Sequence, residues 1–509
     1  MSPLSTRSRL DGEYPQCIAI GWRHMSAPSS HRPNATIRVP RRLPTPLRLR
    51  LRHAHRSLQL RPTRRPVLLV LGFAALILVG TALLLMPISA RDGTPAPLAA
   101  LFTATSAVCV TGLVVVDTHD YWTPFGQVVI AILMQFGGLG FVIGVAALRL
   151  LLGQRPSLRD RLLLQETGAI TLLGGQQALI LRAILVTFGA EAVGALLLWL
   201  RFAPLYGPWQ GLWYALFHAI SAFTNGSFDL FGGFRSVADF RADPLVLLTL
   251  AGLIIGGGLS VVTLTDLWQH RPWRARRGGW RRLSVDSKAV LLGTALLLGG
   301  GTALLLLTER GNPATLAGLP PWQQLLDAFF HATAARTAGF AAWDFSGARQ
   351  STLFMLCGLM FIGGAPGSMA GGIKITTLAA LLVAIWGSLR GQPEPTLFAR
   401  RIPPRLIGQA LAVTALAFAL IVGVALLISV IEGERLGVSF VAILYEVTSA
   451  FGTVGSSTGL PPRLGVVGQL CLIAMMFIGR LGPVTVVLVL TERRHEDRYR
   501  YPSESLRIG

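Results

Sequence analysis

"ALFTATSAVCVTGL" occupies residues 100–113, and three later stretches repeat its pattern: "ALFHAISAFTNGSF" at 215–228, "AFFHATAARTAGF" at 328–340 and "ILYEVTSAFGTVGSS" at 443–457. Each is a short apolar run that opens on an aromatic and gives way to a loop carrying glycine. The aromatics Phe102, Phe217, Phe330 and Tyr445 set the register, at intervals of 115, 113 and 115 residues. A spacing that regular marks an internal repeat. None of the four runs is long enough to cross a bilayer, which takes roughly 20 apolar residues.

Longer apolar stretches flank them, near 66–86, 125–151, 179–200, 245–267, 289–307, 353–386, 407–431 and 466–490. Across 509 residues, 52% are hydrophobic and 14% charged, too apolar for a soluble chain of this size. The expectation is an all-α integral membrane protein. Eight transmembrane helices would form four repeats of span, pore helix, loop and span, pseudo-fourfold around a central pore. The repeats are placed at 66–152, 153–270, 283–390 and 400–492. A basic tail at 1–65, expected to be disordered, precedes them, and a tail at 493–509 follows.

A net charge of +22 would suit a nucleic-acid binder, but its distribution argues against that partner. Fourteen arginines precede the first span, against Asp11 and Glu13, and further clusters fall at 155–161, 271–282, 390–405 and 493–500. Lys and Arg are nearly absent from the alternate connections. That alternation places both termini and every basic loop in the cytoplasm, where they would face anionic lipid. The long basic start does not suit a cleaved secretion signal; a transit peptide or a gene start set too early would each account for it. Cys17, Cys109, Cys357 and Cys471 are too scattered for a disulfide framework or a metal cluster.

Two spans per repeat return the chain to the same side, so the four copies share one orientation and can pack equivalently only around an axis normal to the membrane. Each short helix would aim the negative end of its dipole at that axis. The loop after it is tolerable at that depth only if it lines a polar path. Four such loops form a ring of carbonyls able to replace the water around a cation.

These loops resemble the selectivity filters of the Trk/Ktr/HKT potassium transporters. So do "MQFGGLGF" in the second span, "MFIGGAPGSMAGGIK" in the sixth and "MMFIGRLGP" in the eighth. The likeness extends over residues 65–492 and is nearer to the Ktr membrane subunit than to the longer Trk form. It implies potassium uptake across a bacterial plasma membrane, with or without coupling to sodium, and K⁺ held at Val110, Thr111, Gly112, Asn225, Gly226, Ser227, Thr337, Ala338, Gly339, Thr453, Val454 and Gly455. Ser227 stands where the family usually has a glycine, and that departure leaves a sodium-permeable, poorly selective transporter as the alternative. The resemblance also implies a homodimer on a cytoplasmic ring of nucleotide-binding regulatory subunits, with no cofactor in this chain itself. An organic-solute carrier is a weaker alternative, because such carriers usually show two inverted halves. No constellation for enzymatic chemistry is present.

"FIGGAPGSMAGGIKITT" at 361–377 interrupts the sixth span. A phosphate-binding loop needs lysine directly after its second glycine, but Ile373 separates Gly372 from Lys374. The resemblance instead implies an intramembrane gate. Gly363, Gly364, Gly367, Gly371 and Gly372 supply freedom, Pro366 breaks the helix, and Lys374 either borders the pore or emerges from it. Arg480 sits midway along the eighth span and should meet loop carbonyls, since a charge there is costly. Asp117, Asp229 and Asp344 either focus cations at the mouth or cap the segments that follow. His218 and His331 read as packing residues, and Glu446 as a hydrogen-bonded pore-helix residue.

Overall fold

Proline opens six of the described helices. In the computed structural model, which describes residues 65–140, 176–270, 279–392 and 394–482, it starts Pro97–Cys109 (α2), Pro124–Leu139 (α4), Pro208–Thr224 (α6), Pro244–Gly258 (α7), Pro321–Thr337 (α11) and Pro404–Leu436 (α14). At the first helical position the missing N–H would have no helical partner, so proline there sets φ at no loss. Further helices are Arg65–Leu84 (α1), Gln176–Tyr206 (α5), Val285–Glu309 (α10), Gln350–Phe361 (α12), Ile375–Leu389 (α13), Phe440–Gly452 (α15) and Val466–Leu481 (α16). Thr118–Tyr121 (α3), Val261–His270 (α8) and Gly279–Arg282 (α9) complete the helices among the described residues. A two-stranded hairpin, Thr396–Leu397 (β1) with Arg400–Arg401 (β2), joins α13 to α14. The basic tails and the stretch at 141–175 lie outside the described residues, as do the ends of the second and eighth expected spans.

Each short helix sits between its two neighbours: α2 between α1 and α4, α6 between α5 and α7, α11 between α10 and α12, α15 between α14 and α16. In addition α4 touches α6, α7 touches α11, α12 touches α15, and α16 returns to α2, so the series of contacts closes on itself. The register aromatics Phe102, Phe217, Phe330 and Tyr445 are all fully buried at these seams. On the outside, Leu185, Phe188, Leu296, Phe418 and Val430 are among many large apolar side chains left exposed, as expected where hydrocarbon is the solvent.

Three described helices are long and apolar enough to cross a membrane, at Leu181–Tyr206, Val285–Glu309 and Pro404–Leu436. The fourth such candidate departs from expectation. The stretch at 245–267 is read from sequence as one continuous span, but α7 and α8 meet at 96°. At the end of α7 the Gly257 and Gly258 carbonyls accept from the backbone amides of Met369 and Ala365 at 3.3 and 3.1 Å. The last carbonyls of a helix have no partner within it, and here the stretch at 365–369 supplies one for two of them.

Two repeats are closed by the same polar device. Glu309, at the end of α10, accepts from the Arg349 amide at 3.0 Å and from the Thr352 hydroxyl at the start of α12. Glu432 of α14 accepts from the Gly465 and Gly468 amides at 2.7 and 2.9 Å at the start of α16. Both carboxylates are buried, and both satisfy amides that have no helical partner of their own.

Candidate ion pathway

Three of the four short helices end alike. Val110, Asn225 and Thr453 adopt left-handed backbone, with φ of 56°, 62° and 49°. The next amide in each case reaches back five residues: Thr111 to the Ser106 carbonyl (2.8 Å), Gly226 to Ser221 (2.6 Å) and Val454 to Ser449 (2.9 Å). This is a Schellman end without the customary glycine, and it turns the chain sharply toward the other loops. The third helix differs. Ten positions separate the aromatic from the loop residue in the other copies (Phe102 to Gly112, Phe217 to Ser227, Tyr445 to Gly455), but nine separate Phe330 from Gly339. Ala338 accordingly leaves α11 in extended backbone (φ −147°), with no left-handed residue.

The loops meet. A Cβ built on Gly112 would lie 2.3 Å from the Ser227 Cβ, one on Gly455 would lie 2.0 Å from the Thr111 carbonyl oxygen, and one on Gly339 would lie 2.2 Å from the Gly455 carbonyl carbon. Gly112 and Gly455 also carry φ of +88° and +89°, so both space and backbone demand glycine. Ser227 joins three loops through its hydroxyl, which donates to the Val454 carbonyl at 3.0 Å and accepts from the Gly339 amide.

Behind the loops, the position after the register aromatic braces the returning chain on three of the four short helices; in the first repeat it is Thr103, whose buried hydroxyl has no partner. The His218 Nδ1 bonds the Tyr214 carbonyl at 2.7 Å, so that nitrogen donates and Nε2 accepts from the Leu230 amide. His331 does the same with Asp327 and Ala342, and stacks on Trp343 with ring centres 3.6 Å apart. Glu446, the counterpart in the fourth repeat, accepts from Ser457 and from the amide and hydroxyl of Thr458.

The stretch between α12 and α13 is a closed excursion. Its ends pair as a parallel bridge between Ile362 and Ile373, with the Gly363 amide donating to Ile373 at 2.8 Å. Pro366 and Gly367 (φ +70°) form the corner of a turn closed by the Ser368 amide on the Ala365 carbonyl, the residue order a type II turn requires. Gly363 lies against the Gly371 carbonyl, where a Cβ would come to 1.9 Å; a Cβ on Gly364 would come to 2.8 Å from the Gly258 carbonyl; Gly372 has φ +64°. The Gly371 amide donates to the Thr453 hydroxyl at 3.0 Å, tying the excursion directly to the fourth loop. Lys374 folds back, its Nζ donating to the Ala370 carbonyl at 2.6 Å. About 20 Å³ remains between this segment, the end of α4 and the end of α7.

Arg480 clamps the excursion from the side. One guanidinium nitrogen donates to the Met369 carbonyl, the other to the Gly137 carbonyl and, at 3.3 Å, to that of Gly138. The sequence pointed to the loop as its partner; the second anchor, at the end of α4, was not foreseen. Arg480 follows Gly479 as Gly138 follows Gly137, so the charge stands where other repeats carry a small residue. Gly137 and Gly479 in turn leave room for the ends of the short helices, where a Cβ would fall 2.1 Å from the Val108 carbonyl and 1.9 Å from that of Phe451.

All three acids cap turns. Asp117 accepts from the His119, Asp120 and Phe234 amides, Asp344 from Ser346, and Asp229 from Phe231. In the loop that follows α6, Asp229 is pushed up by burial and further by the nearby Asp117 carboxylate. Sequence reading passed over Glu191, which lies within α5, is buried, and accepts from Gln135 Nε2 of α4 at 3.2 Å.

Known proteins share this architecture. Residues 48–499 match the family model TrkH, described as a cation transport protein. The chain is 38% identical to Ktr system potassium uptake protein B of Vibrio alginolyticus, over 87% of this chain and 95% of that one. It is 37% identical to the protein of the same name from Bacillus subtilis (strain 168), over 87% and 96%. It is 36% identical to potassium/sodium uptake protein NtpJ of Enterococcus hirae, again over 87% and 96%. The crystal structure of the potassium transporter TrkH from Vibrio parahaemolyticus superposes with a TM-score of 0.65, covering 86% of each chain at 18% identity, a likeness of fold. The chain is thus a helical integral membrane protein, and it belongs to the TrkH family of cation transport proteins.

Proposed function

We propose that this chain takes up potassium across the membrane, and that the ion passes where the four loops converge. The observation that carries the reading is the convergence itself: Gly112, Ser227, Gly339 and Gly455, brought from four separate repeats, lie within contact of one another. Carbonyls of residues 110–112, 225–227, 337–339 and 453–455 would be the groups that replace an ion's water there. The closed series of helix contacts supports eight spans in a pseudo-fourfold arrangement, and the alternation of basic loops supports cytoplasmic termini. The excursion at 363–374 would serve as the gate, held shut by Arg480 and by Thr453. The names of the Ktr relatives speak of a system, which supports a separate partner subunit; that subunit would be regulatory and cytoplasmic, and the membrane part a homodimer.

A second reading, sodium permeation beside potassium, is favoured by Ser227. Its hydroxyl engages the Val454 carbonyl, one of the oxygens an ion would need, and one relative is named for potassium and sodium together. One experiment tests both: growth of a potassium-uptake-deficient strain at low potassium, with and without sodium, followed by flux into liposomes. Rescue with potassium flux supports uptake; equal sodium flux would favour the second reading; no cation flux would defeat both.

A further inference from the structure

We propose that Glu191 is a proton-binding site within the membrane, its carboxyl group held protonated in a cyclic acid–amide pair with Gln135. Two side chains already joined by one hydrogen bond carry two orphaned acceptors. Gln135 Nε2 donates to Glu191 Oε2 at 3.2 Å, while Glu191 Oε1 and Gln135 Oε1 are both buried with no partner. Two unsatisfied acceptors on the same pair lack one proton between them. Placed on Glu191 Oε1 and donated to Gln135 Oε1, it satisfies both at once, with no bond broken and no charge left in the hydrocarbon. Turning the Gln135 amide over does not remove the need, since its oxygen would then face the carboxylate directly.

No charge on the surrounding elements does this work instead. Among the described residues, α4 and α7 carry no ionisable side chain, and α6 carries Tyr214, whose hydroxyl accepts from Gln210, and His218, whose two nitrogens are engaged by the backbone of Tyr214 and Leu230. On α8, Asp266 is held by Ser284 and paired with His270. On α5 itself, Arg201 is paired with Asp243, and Arg182 lies more than two turns away. Thr187, one turn before Glu191 on the same face, is fully buried with its hydroxyl also unpartnered. A carboxylate without a counter-charge in such surroundings is costly; a carboxyl group is not. The site touches the gate region through α4, because Gln135 lies two residues before Gly137, an anchor of Arg480.

Infrared spectra of the full chain in liposomes, wild type against Glu191→Gln, read the proton directly. At neutral pH the difference should contain a protonated-carboxyl stretch that the variant lacks. The proton is bound by the folded chain and not by the unfolded one, so raising the pH should lower the thermal stability of the wild type more than that of the variant. Carboxylate bands in the difference, with no carboxyl band, would overturn the proposal. So would carboxylate bands that shift when sodium replaces choline, which would make the site one for a metal cation. Should Glu191→Gln not accumulate, Gln135→Leu must move the carboxyl stretch by removing its acceptor, and an unmoved band sinks the pairing.

Discussion

The Ser227 hydroxyl donates to the Val454 carbonyl at 3.0 Å, although the two residues lie 227 positions apart. A family-level glycine at this place could make no such bond. The serine therefore removes one lone pair from a candidate ion ligand and fixes the second loop against the fourth. Ser227→Gly should release that carbonyl and raise the potassium-to-sodium flux ratio severalfold in liposomes. A ratio unchanged from wild type would mean that the hydroxyl has no part in selectivity.

Crowding and backbone strain can be separated at two glycines of the same region. Gly455 and Gly459 have φ of +89° and +81°, but a Cβ on Gly455 meets the Thr111 carbonyl at 2.0 Å while one on Gly459 meets nothing within 4 Å. Alanine at either site carries a conformational cost of about 1 kcal/mol. Only Gly455→Ala should abolish selective flux, since only it pushes two loops apart. Gly459→Ala should transport nearly as wild type, and equal loss in both would place the defect in folding rather than in the pathway.

Arg480 holds the excursion through Met369 and the end of α4 through Gly137 and Gly138. Hydrogen bonds from a charged donor contribute roughly 1.5–3 kcal/mol each. If one such bond is what biases the closed state, Arg480→Ala should raise flux per molecule by about tenfold or more. Thr453→Val, which removes the tie to Gly371, should act in the same direction with smaller effect. Uptake normalised to protein in the membrane decides the matter: a fall in flux per molecule would assign both residues to packing alone.

Loops and interruptions were legible because backbone chemistry leaves a mark in composition: glycine where chains approach, proline where a helix cannot continue. The bend between α7 and α8 was not, although "GGG" at 256–258 stands directly before it. Three glycines permit a bend, but the partners that satisfy two of its carbonyls, Ala365 and Met369, lie more than a hundred residues away. The shortened third loop escaped notice for another reason. Register was set by the aromatics, which keep their spacing, and the missing residue falls after them. Gln135 and Glu191 were lost among apolar neighbours, since neither has a local pattern that names its partner.

Acidification outside should weaken capture of dilute potassium through Asp229. Burial and Asp117 push this carboxyl group up to about 7, so its charge is present above that pH and is lost as pH falls through it. Apparent affinity for potassium should then decline between about pH 8 and 6 in wild type. Asp229→Asn should show the weaker affinity at both ends of that range. A variant that keeps the full pH dependence would exclude Asp229 as its source.

Glu309 and Glu432 give their carboxylates to the opening amides of the helix two elements later, inside their own repeat. The consequence concerns biogenesis. A helix pair that settles its own polar ends can come to rest in the bilayer while the next pair is still being synthesised, so the chain can be built in instalments. Glu309→Leu should then impair protease protection in ribosome-stalled chains that end soon after residue 392, well before the fourth repeat exists. A defect confined to the completed chain would mean instead that the repeats wait for one another before they settle.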